Sequence, residues 1–380
     1  MEIRLSLIGF FCAVGLSMAQ NVSIPDPSFE QWLIDFNYDT DGIVNGEMSQ
    51  GDADNVTIII LGNVQPTITD LTGIESMPNL TNLTIIMTAI SSIDLNVVPS
   101  LTDFNVNNDA SLTSVIGSNN IESVTLNGVS NLQNLDLSTA TNLELFNISS
   151  AQLTSIDFSN CPNLSVLSFN DIVLTQVNIL PSQPITNISA GNSTIPIDPS
   201  PYDLIQFAVS NSAYTEVDLQ ASASLDILRL ENNANLTRAF VNTGANTQLS
   251  YVNIEGNPQL TCIVVDDVTY STNNWDQPNA VPPLYVDTPS ALVDISSPCA
   301  TISVADVERE EIVPYPIPVG DRLYWSGNTE DGKLIDLHGR EVASGNGING
   351  IATYNLASGI YLLVVKGSPS RVHIKKIIID

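Results

Sequence analysis

From Leu80 onward the chain repeats one apolar spacing, L-x-x-L-x-L, at intervals of mostly 10 or 11 residues. Copies read LTNLTI from Leu80, ISSIDL from Ile90, LTDFNV from Leu101, LTSVIG from Leu112 and IESVTL from Ile121. They continue as LQNLDL from Leu132, LELFNI from Leu143, LTSIDF from Leu153, LSVLSF from Leu164 and LTQVNI from Leu174, with later starts at Ile185, Leu204, Tyr214, Leu225, Leu236, Leu249 and Leu260. Two such halves make one coil of about 21 residues. Positions 1, 4 and 6 point into the coil and stack on the same positions above and below. One coil cannot bury its apolar face alone, but a stack of them can. Apolar residues at 4 and 6 around a polar 5 have strand periodicity, whereas a helical stripe needs spacings of three and four throughout. The expected fold is therefore mainly β: a flat-sided solenoid with a short strand from each half-repeat and almost no helix on its convex side.

Charge divides the chain. Residues 21–305 hold 30 acids against two bases, Arg229 and Arg238, while residues 306–380 hold 10 acids against 8 bases. That step marks a domain boundary near residue 305. A surface this acidic does not attract nucleic acid or an anionic membrane. Residues 1–19 read as a signal peptide, with Arg4 ahead of the apolar run Leu5 to Leu16 and a small-x-small site at Ser17-Met18-Ala19. No later run is long and apolar enough for a transmembrane segment, so the expectation is an exported, soluble chain, extracellular or attached to the outer cell surface. In an oxidising compartment Cys262 and Cys299, which bracket the end of the acidic region, are expected to pair. Cys161 falls inside a repeat and is expected as a buried free thiol.

The repeats resemble the bacterial leucine-rich-repeat family with a 21-residue coil, over about residues 56–265. The ninth-position Asn of that family stands at Asn120, Asn233 and Asn257, but Thr88, Asp109, Ala151 and Ile172 replace it elsewhere, so several turns must satisfy their backbone another way. Between Gly191 and Pro201, Pro196, Pro199 and Pro201 replace one half-repeat, and that coil is expected to be irregular. The stretch IPDPSFEQWLIDFNYDTDG, within residues 20–55, looks like the N-terminal cap of secreted Bacteroidetes-type repeat proteins. Asp26-Pro27-Ser28 followed by Phe29, Trp32, Leu33 and Phe36 reads as a short capped amphipathic helix. Residues 266–305 resemble the C-terminal cap of the same proteins, which implies a flap tied over the last coil by Cys262 and Cys299.

After an acidic linker at 306–312, residues 313–380 read as a small β-sandwich of short β runs and Gly-rich turns. They resemble the type IX secretion C-terminal sorting domain in four ordered pieces: YPIPVGDRL (315–323), KLIDLHGREV (333–342), LASGIYLLVV (356–365) and RVHIKKIIID (371–380). Ile317 stands where the first piece usually has Asn. The resemblance implies that this segment engages the type IX outer-membrane translocon.

Chemistry is sparse. Residues 20–337 contain no histidine, which excludes Ser-His-Asp, Cys-His and HExxH machinery from the repeats. Paired carboxylates remain an option, but Asp94, Asp136, Asp157 and Asp218 recur at one position of the second half-repeat and read as framework acids bonding turn amides. A calcium loop is the better site candidate. Asn37, Asp39, Asp41, Gly42 and Asn45 match positions 1, 3, 5, 6 and 9 of the D-x-D-x-D-G loop, although Met48 stands at position 12 and Glu47 falls one residue early. An Asx-turn-rich loop after the cap helix is the plainer reading.

In the family that the repeats resemble, the first half-repeat forms the concave sheet, with positions 2, 3 and 5 facing solvent. From the middle coils onward the third column reads Leu145, Val166, Asn187, Gln206, Ile227 and Tyr251, with Arg229 beside Ile227. Apolar groups there suggest a contact surface, and Tyr and Arg are favoured anchors. The leading expectation is a non-catalytic protein that recognises a protein or glycan on this face. An acidic coat or stalk without a specific ligand competes with it, and a carboxylate-based carbohydrate-active enzyme comes third.

Overall fold

The computed structural model describes residues 21–62, 68–245, 247–275, 285–286, 291–297, 314–315, 321–325, 332–336, 340–345, 350–367 and 371–379. The signal-peptide segment and the 306–312 linker lie outside them. The chain forms two compact units, 1–300 and 301–380.

The first unit is a parallel β-solenoid. Each first half-repeat supplies one strand to an eleven-stranded sheet, from Ile58–Gly62 through Asn82–Ile86 and onward to Tyr251–Ile254 and Tyr285–Val286. Neighbours pair in register one coil apart, Leu83 with Phe104 and Phe104 with Val124. That register stacks the fourth position into a buried column, including Leu83, Phe104, Phe146, Leu167, Phe207 and Leu228, each fully shielded. The sixth position makes a second, from Ile85 to Ile254. Burying one such side chain contributes about 1.5–3 kcal/mol, which a coil gains only with coils on either side. Phe146 also packs edge-on against Phe158 of the opposite wall at 5.0 Å.

Three-residue strands from the second half-repeats make the other wall, such as Ser92–Asp94 beside Ser114–Ile116 and Arg238–Phe240 beside Cys262–Val264. Only three α-helices occur among the described residues, all in the caps: α1 (Pro27–Asp35), α2 (Gln50–Ala53) and α3 (Val268–Asn274). No helix among those residues is long and apolar enough to cross a membrane.

Turns obey two further columns. Directly after the long strands from Asn82–Ile86 to Ile227–Glu231 the backbone takes a left-handed residue, at Met87, Asn108, Gly128, Ser150, Asp171, Asn192, Asn211 and Asn232, and Gly256 does so two residues after Tyr251–Ile254. Gly128 has a second reason to lack a side chain, because a Cβ there would meet Asn108 Oδ1 at 2.6 Å. The ninth position answers the amide shortage. Buried Asn233 accepts from the Ser212 backbone N–H and donates to the Val209 carbonyl. Its own N–H donates to Asn257 one coil on. Asp109 does the same work with a carboxylate, accepting from Thr88 N at 2.7 Å and Ser111 N at 3.0 Å.

Among the described residues no strand of the second wall forms between Asn187–Gly191 and Gln206–Ser210, which are direct neighbours in the long sheet. The irregular coil expected from its prolines is therefore present, and it leaves a cleft of about 650 Å³ lined by Pro196, Ile197, Asp198, Tyr214, Glu216 and Asp218.

The caps are built from local signals. Asp26 Oδ1 accepts from Ser28 N and Phe29 N at the start of α1, with Pro27 at its first turn. Phe29, Trp32 and Leu33 are buried. Phe36 is 58% exposed and stacks on Trp32 at 4.5 Å instead of entering the core. At the other end α3 and buried Trp275 close the stack. Of the C-terminal cap, the described pieces Tyr285–Val286 and Ala291–Val293 each continue one wall by one parallel strand.

The second unit is a small β-sandwich. A three-stranded sheet containing Arg322–Trp325 and a four-stranded sheet containing Gly332–Ile335, Gly359–Gly367 and Arg371–Ile379 share a core of Leu323, Trp325, Leu334, Ile351, Leu363 and Ile377.

Candidate functional site on the long sheet

Along the solvent face of the long sheet, the third positions run side by side in register: Ser123, Leu145, Val166, Asn187, Gln206, Ile227 and Tyr251. The apolar members of this column therefore stand as two pairs. Leu145 abuts Val166 and Ile227 abuts Tyr251, with Asn187 and Gln206 between them. Three strand spacings separate Val166 from Ile227, roughly 14 Å. Contrary to the exposure expected of sheet-face positions, Leu145, Val166, Ile227 and Tyr251 are each half-buried, because column neighbours shade one another. The more exposed apolar groups on this face are Ile58 and Ile60 on its first strand, at 45% and 52%.

Arg229 lies two residues beyond Ile227 on the same face and is exposed. Its guanidinium stands over the Tyr251 ring, 4.4 Å from the centroid, and no other Lys or Arg occurs in the strands of this sheet. Beside it the face dips. Asn170, Ser189, Gly191, Ala208 and Ser210, with Arg229 and Glu231, line a hollow of about 140 Å³. The hollow exists because consecutive strands NISAG and QFAVS present small side chains outward. That signal was readable in the sequence, but inspection for apolar residues passes over a run of small ones.

The other base, Arg238, lies on the opposite wall and pairs with Glu216 at 2.6 Å. This ties up one carboxylate of the proline-lined cleft. A second, Asp218, accepts from Gln220 N. Asp94, Asp136 and Asp157 repeat that bond to Asn96 N, Ser138 N and Ser159 N at 2.9 Å, so the recurring acids are framework acids. Hydrogen bonds from the side chain and backbone of Ser138 and of Ser159 hold Asp136 and Asp157 below the ordinary carboxylate pKa, the reverse of what a general acid requires.

In the N-terminal cap, Asn37 takes the left-handed conformation after α1. Its N–H donates to the Ile34 carbonyl and that of Tyr38 to Leu33, a Schellman stop. Asn37 is exposed, whereas Asp39 is buried. Asp41 accepts from Ile43 N and from the Asn45 side chain. Cys161 is free and buried, and desolvation, with Asp157 nearby, pushes its thiol up to about 11. Cys262 is buried; Cys299 lies outside the described residues.

No protein-family model matches the chain, and no curated protein matches it. Among solved structures it is similar to a functional domain of InlJ from Listeria monocytogenes that includes a cysteine ladder. Identity is 15% over 95% of this chain and 99% of that one, with a TM-score of 0.38. It is also similar to internalin C2 of Listeria monocytogenes, at 23% identity over 51% of this chain and 98% of that one, TM-score 0.32. Internalin InlF of the same organism follows at 14% identity over 64% and 89%, TM-score 0.29.

Proposed function

We propose that this is a non-catalytic leucine-rich-repeat protein of the cell exterior that recognises a protein or glycan on the later coils of its long sheet. The Arg229–Tyr251 stack beside the small-residue hollow carries this reading. The ring fixes the guanidinium plane, so less side-chain entropy is lost when its N–H fork meets a carboxylate or a row of hydroxyls. In a unit that holds 30 acids and two bases over residues 21–305, one arginine cannot steer association, but it sets orientation. The test is a screen of the purified protein against surface proteins and host and algal glycans; inertness in every arm would favour the acidic coat or stalk instead.

The four ordered motifs of residues 313–380 support export through the type IX translocon. The last two motifs fall on the paired strands Gly359–Gly367 and Arg371–Ile379. Deleting 313–380 should trap the protein in the periplasm of a type IX-competent bacterium, and undiminished surface display of the truncated chain would refute this role.

A further inference from the structure

The N-terminal cap contains a carboxylate that its surroundings do not satisfy. Asp39 is 2% exposed, and neither of its oxygens has a hydrogen-bond partner. Burying a carboxylate without a partner is costly. The surroundings add to that cost, since the carboxylates of Asp41, Glu30 and Asp52 repel its charge. Desolvation first, then Asp41, raise its pKa; the Asp41 amide favours the charge from outside hydrogen-bonding geometry. Glu30, equally buried, is by contrast fully engaged: its carboxylate accepts from the amides of Asn45, Gly46 and Glu47 at 2.8 to 3.1 Å. Among the described buried side chains only Ser118 Oγ and Asn147 Oδ1, both uncharged, also lack a partner, so Asp39 is the one bare carboxylate.

The loop around it follows a different register from the one expected from Asn37. With Asn37 consumed by the stop of α1, Asp39 becomes the first acceptor and Asp41 the third. Ile43 and Val44, 60% and 43% exposed, bulge outward as an insertion. Asn45 and Gly46 then fill the fifth and sixth places, and Gly46 has the left-handed φ of +86° that the sharp turn needs. Met48 turns inward in the short strand Glu47–Ser49, paired with Asn21–Ser23. The twelfth place falls on Asp52, inside α2. Helix, acidic loop, short strand and second helix thus succeed one another as in a calcium loop of the helix–loop–helix type. The acid missing at Met48 is supplied four residues later.

We propose that this loop binds a calcium-sized divalent cation through the carboxylates of Asp39, Asp41 and Asp52 and the amide oxygen of Asn45. The donors are all oxygen, which suits a hard cation, and their irregular loop suits calcium better than the strict octahedron of magnesium. As the loop stands, no three acidic side chains among the described residues form a ready cluster. Asp52 accepts from Thr40 Oγ1 at 3.1 Å, Asp41 from the Asn45 side chain at 2.9 Å, and the Asn45 amide oxygen from Glu47 N at 2.9 Å. The cation replaces these weak exposed bonds and neutralises Asp39, so binding tightens the cap on the first coil.

The test is thermal unfolding of the purified full chain in EDTA, in excess calcium chloride and in magnesium chloride at equal ionic strength. With calcium about 100-fold above its dissociation constant, the wild type should melt several degrees higher than in EDTA. Asp39→Asn removes the buried charge, so in EDTA it should melt at or above the wild type yet gain nothing from calcium. Asp52→Asn should also lose the calcium gain, while Glu122→Gln, an acid of the repeats, should keep it. Terbium emission sensitised by the nearby rings of Tyr38 and Trp32, and competed by calcium, reads the same site without relying on stability. An unchanged wild-type melting point with no terbium emission overturns the proposal. So does a calcium shift that magnesium reproduces in full and Asp39→Asn retains, which is screening of an acidic chain.

Discussion

Asp26 joins two parts of the molecule with one carboxylate. One oxygen caps α1, and the other accepts from Thr69 N at 2.8 Å, Thr69 Oγ1 and Asp70 N at the first coil. Burial opposes its ionisation, but the bonds from Thr69, Ser28 and Phe29 outweigh burial and lower its pKa. The sign for stability follows. A depressed folded pKa means that the contribution is complete above the unfolded value of about 4 and is lost as pH falls through the folded one. Asp26→Ala should cost about 2 kcal/mol at pH 7 by urea denaturation, and the gap from wild type should shrink by pH 3. The helix itself was readable from Asp26-Pro27 and the spacing of Phe29, Trp32 and Leu33. The bridge to Thr69 was not, because nothing local links residues 43 positions apart. The orphaned Asp39 was hidden for a related reason: Asn37 reads equally well as a metal ligand or a helix stop until the backbone is seen.

The repeating turns stand on residue pairs one coil apart. Asn233→Ala leaves the Ser212 amide and hydroxyl without an acceptor inside the stack. Each buried orphan costs about 1–3 kcal/mol, so a loss of roughly 3 kcal/mol or more is expected in urea denaturation, whereas exposed Thr175→Ala should cost little. The buried columns could be read directly from L-x-x-L-x-L, since position alone decides which way a strand residue points. The left-handed column could not. Met87, Ser150, Asp171 and Gly128 share a backbone conformation, not a letter, and only a stack of aligned coils exposes the regularity. The candidate face was half readable. The repeat spacing gives its strands and the column order, with Asn187 and Gln206 between the two apolar pairs, but not the mutual shading that leaves each apolar side chain half-buried.

The acidic solenoid and the terminal sandwich call for separate tests. Cys262 is buried in the last part of the solenoid. Mass spectrometry under non-reducing conditions should find it joined to Cys299, with Cys161 alkylated only after unfolding; Cys161 in a mixed disulfide would overturn that assignment. Recognition on the middle and later coils would engage a face whose described strands carry one base, Arg229. Its most direct test is the affinity of the ligand found by screening for single variants along the sheet. Truncating a true anchor costs about 2 kcal/mol or more, roughly thirtyfold in affinity. Arg229→Ala and Tyr251→Ala should each weaken binding by that much. Their combined effect should fall short of the sum, because the two side chains stack on each other. Thr81→Ala, Thr102→Ala and Ile60→Ala at the early coils should leave the affinity within twofold or so. If the early-coil variants abolish binding and Arg229→Ala and Tyr251→Ala do not, the ligand sits elsewhere and the account is wrong.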